Sequence, residues 1–263
     1  MDTIEVEGLR IAYERAGQGP PLVLLHGYVT DGPTTWQSQL DDLSSDFTVV
    51  AWDAPGAGAS ADPPESFGMG GYVECLAGFV AGLGLGRPHV GGLSFGGALA
   101  LALAARRPDV PATLVVAGGY AGWAGSLGAE ATEERLRQAV TLSELTADEF
   151  VAALLPTMFF RPPAPAVVER FEAAMRAFHP AGFRALARAS AEDLTGDLPR
   201  VRAPTLLVYG EEDTRAPRSV AEHLHAAIAG STLVLLPGAG HVCTIEAPEA
   251  FNRAVREFLG RAA

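Results

Sequence analysis

Six short, nearly continuous apolar runs constrain this chain most. They are PLVLLHG (21–27), FTVVAWD (47–53), HVGGLS (89–94), ATLVVAG (112–118), PTLLVYG (204–210) and STLVLLPG (231–238). A strand with one wet face alternates apolar and polar residues, whereas an unbroken Val/Leu run suits a strand covered on both faces. Helix-like stretches fall around 35–44, 71–84, 96–106, 217–229 and 247–260. Strand and helix in alternation predict an α/β fold with a mostly parallel sheet flanked by helices. Residues 3–7 and 9–15, TIEVE and LRIAYER, do alternate, and this predicts an antiparallel pair at one edge.

One interval breaks the rhythm. Between 118 and 204 there is no strand signal. Stretches 130–141, 146–155, 165–177 and 180–190 read as helices, separated by prolines at 156, 162, 163, 165 and 180. Thr146 and Glu149 stand at the spacing of a capping box, in which each side chain satisfies the other's backbone N–H. The expected division is a core domain of residues 1–118 and 200–263, with a helical cap over residues 119–199.

Composition removes several kinds of chemistry. The chain carries 19 arginines and no lysine, so neither an imine-forming enzyme nor a P-loop nucleotide enzyme fits. The net charge of −12 argues against nucleic acid or an anionic membrane as partner, since both require a basic face. Cys75 and Cys243 lack the spacing of a zinc site, and no metal or cofactor is expected. The first ten residues, MDTIEVEGLR, have no apolar core of a signal peptide, and no run is long enough to span a bilayer. A cytoplasmic protein acting on a small-molecule substrate is the expectation. GLGLG at 82–86 precedes its strand instead of following it, so it is not a dinucleotide-binding turn.

The chemistry centres on GLSFGG (92–97), at the junction of a strand and a helix. A turn this sharp strains its central residue, and the positions two before and two after it must be glycine or their β-carbons collide. Gly92 and Gly96 meet that need, and the pattern G-x-S-x-G lifts the Ser94 hydroxyl clear of its own backbone. A serine needs a base, and the base needs an acid to orient it. His241, in LPGAGHV, directly follows a strand at the same edge. Asp213, three residues beyond Gly210, is the expected acid, with Glu211 and Glu212 as neighbouring alternatives. His26 and Asp53 also end strands; the reading for both is structural, orienting the first loop and tying down the glycine-rich one. Glu246 is read as an anchor for the loop or the next helix, and His179 as a helix start. The developing oxyanion needs two preorganised N–H donors. The backbone amides of Phe95, at a helix start, and of Tyr28, after Gly27, are the candidates.

These segments together resemble the α/β-hydrolase family along nearly the whole chain. HG at 26–27 looks like its oxyanion loop, and DAPGAGAS at 53–60 its D-x-P-G-x-G-x-S loop. GLSFGG looks like its nucleophile elbow, GEEDTRAP its acid loop and GHVCTIEAPEAFN its histidine segment. The resemblance implies an eight-stranded sheet, a helical cap and a triad in the order Ser94, Asp213, His241. Serine in place of aspartate at the elbow turns the reading away from epoxide and haloalkane chemistry. The look is similar to enol-lactonases, esterases and haloperoxidase-like perhydrolases. It implies a serine hydrolase of an ester, lactone or thioester. The alternative is a carbon–carbon bond hydrolase or a small-ligand receptor on the same fold.

The insert supplies many large apolar side chains, of which about one in three is expected to face substrate. Tyr28, Tyr120, Trp123, Met158, Phe159 and Phe178 are the expected lining, which suits an apolar acyl or cyclic substrate. Arg161 is read as exposed instead of carboxylate-binding.

Overall fold

A computed structural model describes residues 1–262. Eight strands form one sheet: β1 (Asp2–Val6), β2 (Leu9–Ala16), β3 (Pro21–Leu25), β4 (Thr48–Trp52), β5 (His89–Leu93), β6 (Thr113–Ala117), β7 (Thr205–Gly210) and β8 (Thr232–Leu236). Their order is β1-β2-β4-β3-β5-β6-β7-β8. Strand β2 pairs antiparallel with both its neighbours, and every pairing from β4 to β8 is parallel. The carboxyl ends of β3 to β8 therefore share one edge, the edge where open α/β sheets bind ligands.

The apolar runs behave as their composition requires. All residues of β4, β6 and β7 are buried, because helices cover both faces. Each fully buried Val or Leu side chain contributes roughly 1.5–3 kcal/mol relative to exposure. Strand β8 departs from the reading of a run covered on both faces. Thr232 is exposed, and Leu233, Val234 and Leu235 are only half-buried. Its position at the sheet edge, with β7 on one side alone, explains this.

The main helices are α1 (Gly32–Leu43), α2 (Gly68–Gly82), α3 (Phe95–Arg106), α9 (Arg218–Ala227), the single turn α10 (Cys243–Glu246) and α11 (Pro248–Ala262). Between β6 and β7 lie α4 (Gly122–Leu127), α5 (Ala129–Ser143), α6 (Ala147–Leu154), α7 (Pro165–Arg176) and α8 (Pro180–Ser190). Helix α6 begins with the full capping box: the Glu149 N–H donates to Thr146 Oγ1, and the Thr146 N–H donates to the Glu149 carboxylate. Polar bonds tie this helical segment to the sheet domain. His179 meets Asp62 at 2.7 Å, Arg188 donates to Glu65 at 2.9 Å, and the Met69 N–H donates to Glu192 at 2.6 Å. Among the described residues no helix is long and apolar enough to cross a membrane.

Candidate active site

Ser94 occupies the single residue between β5 and α3, at φ 55° and ψ −111°. A non-glycine residue held there costs of order 1–3 kcal/mol, a strain the surrounding packing must sustain. The neighbouring glycines make it feasible. A β-carbon on Gly92 would collide with the backbone of Gly96, and one on Gly96 with the carbonyl of Leu25. The turn is held by Ser94 N–H donating to Ala117 O at 2.8 Å and by Ala98 N–H donating to Ser94 O at 3.0 Å.

Asp213 and His241 come from the loops after β7 and β8. Their side chains meet at 2.8 Å, His241 Nδ1 to Asp213 Oδ2, with both residues buried. The other carboxylate oxygen accepts the backbone N–H groups of Arg215 and Ala216, each at 2.8 Å. Asp213 is thus held on both sides, and a carboxylate facing Nδ1 favours the tautomer that leaves Nε2 free to accept a proton. Gly118, at φ 49°, makes room for the pair: a β-carbon there would lie 3.2 Å from His241 Nδ1 and 3.3 Å from Asp213 Oδ2. Sequence reading did not single out Gly118; the available signal was a glycine ending a strand beside the elbow.

Ser94 and His241 line one narrow cavity of about 30 Å³, with Tyr28, Met158, Phe171 and Arg215 among its walls. Among the described hydrogen bonds, none joins the Ser94 hydroxyl to the imidazole. A β-carbon on Gly27 would lie 3.6 Å from Ser94 Cβ, an ordinary contact, so the loop passes directly beside the serine. The Phe95 N–H opens α3 and has no intrahelical acceptor. Among the described residues neither it nor the Tyr28 N–H donates to a protein acceptor.

The expected lining divides. Tyr28 and Met158 line the cavity over Ser94. Phe159 lines an adjoining cleft beside His241 instead. Three of the expected lining residues stand outside that wall. Tyr120 is buried behind the wall, its ring 6.4 Å from that of His241; its hydroxyl donates to Arg215 O at 2.5 Å, and burial pushes its pKa up to about 12. Trp123 stands behind Tyr28 in an edge-to-face contact at 5.6 Å. Phe178 stacks on Phe150 at 3.9 Å inside the helical segment. Their distance along the chain from the elbow carried no information about direction. Phe171 and Arg215, absent from the expected lining, are in the wall.

The remaining polar residues have structural partners. His26 is buried, accepts the Ala54 N–H at Nε2 and donates from Nδ1 to Gly27 O, which fixes a neutral ring. Desolvation holds its pKa below 6.5. Asp53 ties down its own loop by accepting the Ala59 N–H, and also accepts the Gly32 N–H at the start of α1. Burial raises its pKa to about 6. Cys75 and Cys243 are free, buried thiols; burial pushes Cys75 up to about 12 and Cys243 well above its ordinary range. Neither is available as a thiolate nucleophile. Among the described residues no cluster of His, Cys, Asp and Glu is arranged to hold a metal ion.

This sheet order, the strained serine between β5 and α3, and the aspartate–histidine pair from the last two strand ends define an α/β hydrolase. Residues 22–254 match the alpha/beta hydrolase family, and the chain belongs to it. A thermophilic esterase from Thermogutta terrifontis superposes with a TM-score of 0.89 at 30% identity, covering 100% of this chain and 99% of that one. The enol-lactonase from Burkholderia xenovorans LB400 superposes with a TM-score of 0.88 at 27% identity, covering 98% and 100%. The human serine hydrolase BPHL is 29% identical over 97% of this chain and 85% of its own.

Proposed function

We propose that the protein is a serine hydrolase that cleaves an ester or lactone through an acyl-enzyme. One observation carries this reading: His241, paired with the buried Asp213, shares a cavity wall with Ser94. In the first step the Ser94 hydroxyl adds to the substrate carbonyl while its proton passes to His241 Nε2. Asp213 steadies the imidazolium through Nδ1–H. The N–H groups of Phe95 and Tyr28 receive the oxyanion, and the helix start at Phe95 adds its positive end. His241 then protonates the leaving oxygen as the carbon–oxygen bond breaks. Water, deprotonated by the same nitrogen, releases the acid and restores Ser94.

Residues 119–199 act as the cap in this reading. Met158 and Phe171 reach from it into the cavity, whose 30 Å³ holds about one water's share of liquid volume. The apolar walls favour a small to medium apolar acyl or cyclic group. The test is a panel of acyl esters and lactones of graded size, run beside Ser94→Ala. Turnover by the native protein and its loss in the variant support the reading; equal rates in both overturn it.

A further inference from the structure

Arg215 stands where three cavities meet. One is the narrow space over Ser94; another is a cleft of about 540 Å³ against α5 and α6; the third opens beside His241 past Phe160. Arg215 is half-buried, and among the described residues its guanidinium hydrogen-bonds only neutral side chains. It donates to Thr157 Oγ1 at 3.1 Å and to the Tyr28 hydroxyl at 3.5 Å. Among the described residues no carboxylate forms an ion pair with it, although 31 acidic side chains face 19 arginines in this chain. Asp213 is turned away, its oxygens taken by His241 and by backbone N–H groups. Glu134, which also borders the cleft, is engaged by Arg137 and Gln138. Arg135 adds a second positive charge on the same wall. It lies 5.4 Å over the rings of both Tyr120 and Trp123 and donates to Arg215 O at 3.0 Å, so it also fixes the Arg215 backbone. Among the described residues the Arg135 guanidinium, too, hydrogen-bonds only neutral groups, the Tyr120 hydroxyl and Arg215 O.

We propose that Arg215 binds a carboxylate carried by the substrate, a few carbon atoms from the bond that Ser94 attacks. Arginine suits this because its planar fork matches both oxygens of a carboxylate, and a charge-assisted pair at a partly dry junction is stronger than a neutral bond. The substrate is then an ester or lactone with a free acid group: an apolar middle against Met158 and Phe171, and an anionic end at the cleft. This rests on the serine-hydrolase reading above.

The test compares neutral and acidic esters of matched size, on both sides of the scissile bond. One pair is 4-nitrophenyl butyrate and 4-nitrophenyl hemisuccinate; the other is phenyl acetate and 3-carboxyphenyl acetate. In at least one pair the native protein is expected to favour the acid by tenfold or more in kcat/KM. Arg215→Gln is expected to reduce that ratio by about 10–100-fold, and Arg215→Lys to retain part of it. No preference in either pair, or a ratio unchanged in Arg215→Gln, overturns the proposal and leaves the hydrolase reading standing. Binding is read separately by calorimetric titration of Ser94→Ala with monomethyl glutarate. Heat that is lost on adding Arg215→Gln supports the anion site even if no ester is turned over; binding indifferent to Arg215 overturns it.

Discussion

The carboxylate of Glu246 accepts the backbone N–H of Phe160 at 2.9 Å. Glu246 lies on the short turn α10, five residues after His241, and Phe160 belongs to the segment joining α6 to α7. The same oxygen also accepts the Arg161 N–H at 3.4 Å. The sequence reading had this glutamate anchoring its own loop or the next helix; its carboxylate instead ties down the helical segment over the site.

Glu246→Ala should free that segment. Amide hydrogen exchange at Phe160 and Arg161 is expected to quicken by tenfold or more, and stability to fall by about 1–3 kcal/mol from the loss of charge-assisted bonds. Exchange measured by mass spectrometry across residues 156–164 checks this. Protection equal to that of the native protein would show that packing alone holds the segment.

Asp213→Asn keeps the shape of the acid but presents an amide to His241. The ring then loses the partner that fixes its tautomer, and kcat is expected to fall roughly 10³–10⁴-fold with folding intact. The kinetics of the most active ester, with a circular dichroism spectrum as the folding control, give the answer.

Asp53 and His26 sit on either side of Ala54, and their pH effects oppose each other. Between the ordinary 3.8 and about 6, folded Asp53 keeps a proton that the unfolded chain has released. Stability from this group is therefore greatest at low pH and falls as pH rises through that window. His26 has a depressed pKa, so the unfolded chain takes up its proton first, and its contribution is lost as pH falls below 6.5. Asp53→Asn removes the first effect. Relative to the native protein, its stability should improve by about 2–3 kcal/mol between pH 4 and pH 7. Urea unfolding at four pH values tests the slope, independent of any constant offset from the new amide.

Met158→Ala should enlarge the space above Ser94. A buried methionine truncated to alanine costs about 2–5 kcal/mol of stability. The optimum acyl length in an ester series should lengthen by at least two carbons. An unchanged optimum would place the acyl group elsewhere than against Met158.

Much of the architecture was legible because burial on two faces demands unbroken apolar strands, as in PLVLL, TVVAW, TLVVA and TLLVYG. Edge position was not legible in TLVLL, since the run looks the same whether one neighbour is present or two. Helix α4 escaped notice because GWAGSL has no apolar stripe at helical spacing, and α10 is only one turn long. At the site, Ser94, Asp213 and His241 stood out because each follows a strand end. The direction of a loop side chain has no period to betray it. Tyr120, Trp123 and Phe178 were therefore assigned to the lining that Arg215 and Phe171 occupy. Attention to a carboxylate-binding arginine fell on Arg161, whose guanidinium rests over Phe160 at 5.3 Å; the arginine two residues past the acid was overlooked.

Covalent labelling tests the centre of the mechanism most directly. A fluorophosphonate reacts only with a serine made nucleophilic by its base, so intact-protein mass spectrometry should show one adduct. Peptide mapping should place it on Ser94. Labelling should vanish in Ser94→Ala and slow at least a hundredfold in His241→Ala. An unlabelled native protein, or an adduct that persists in Ser94→Ala, would contradict the assignment of Ser94 as the nucleophile.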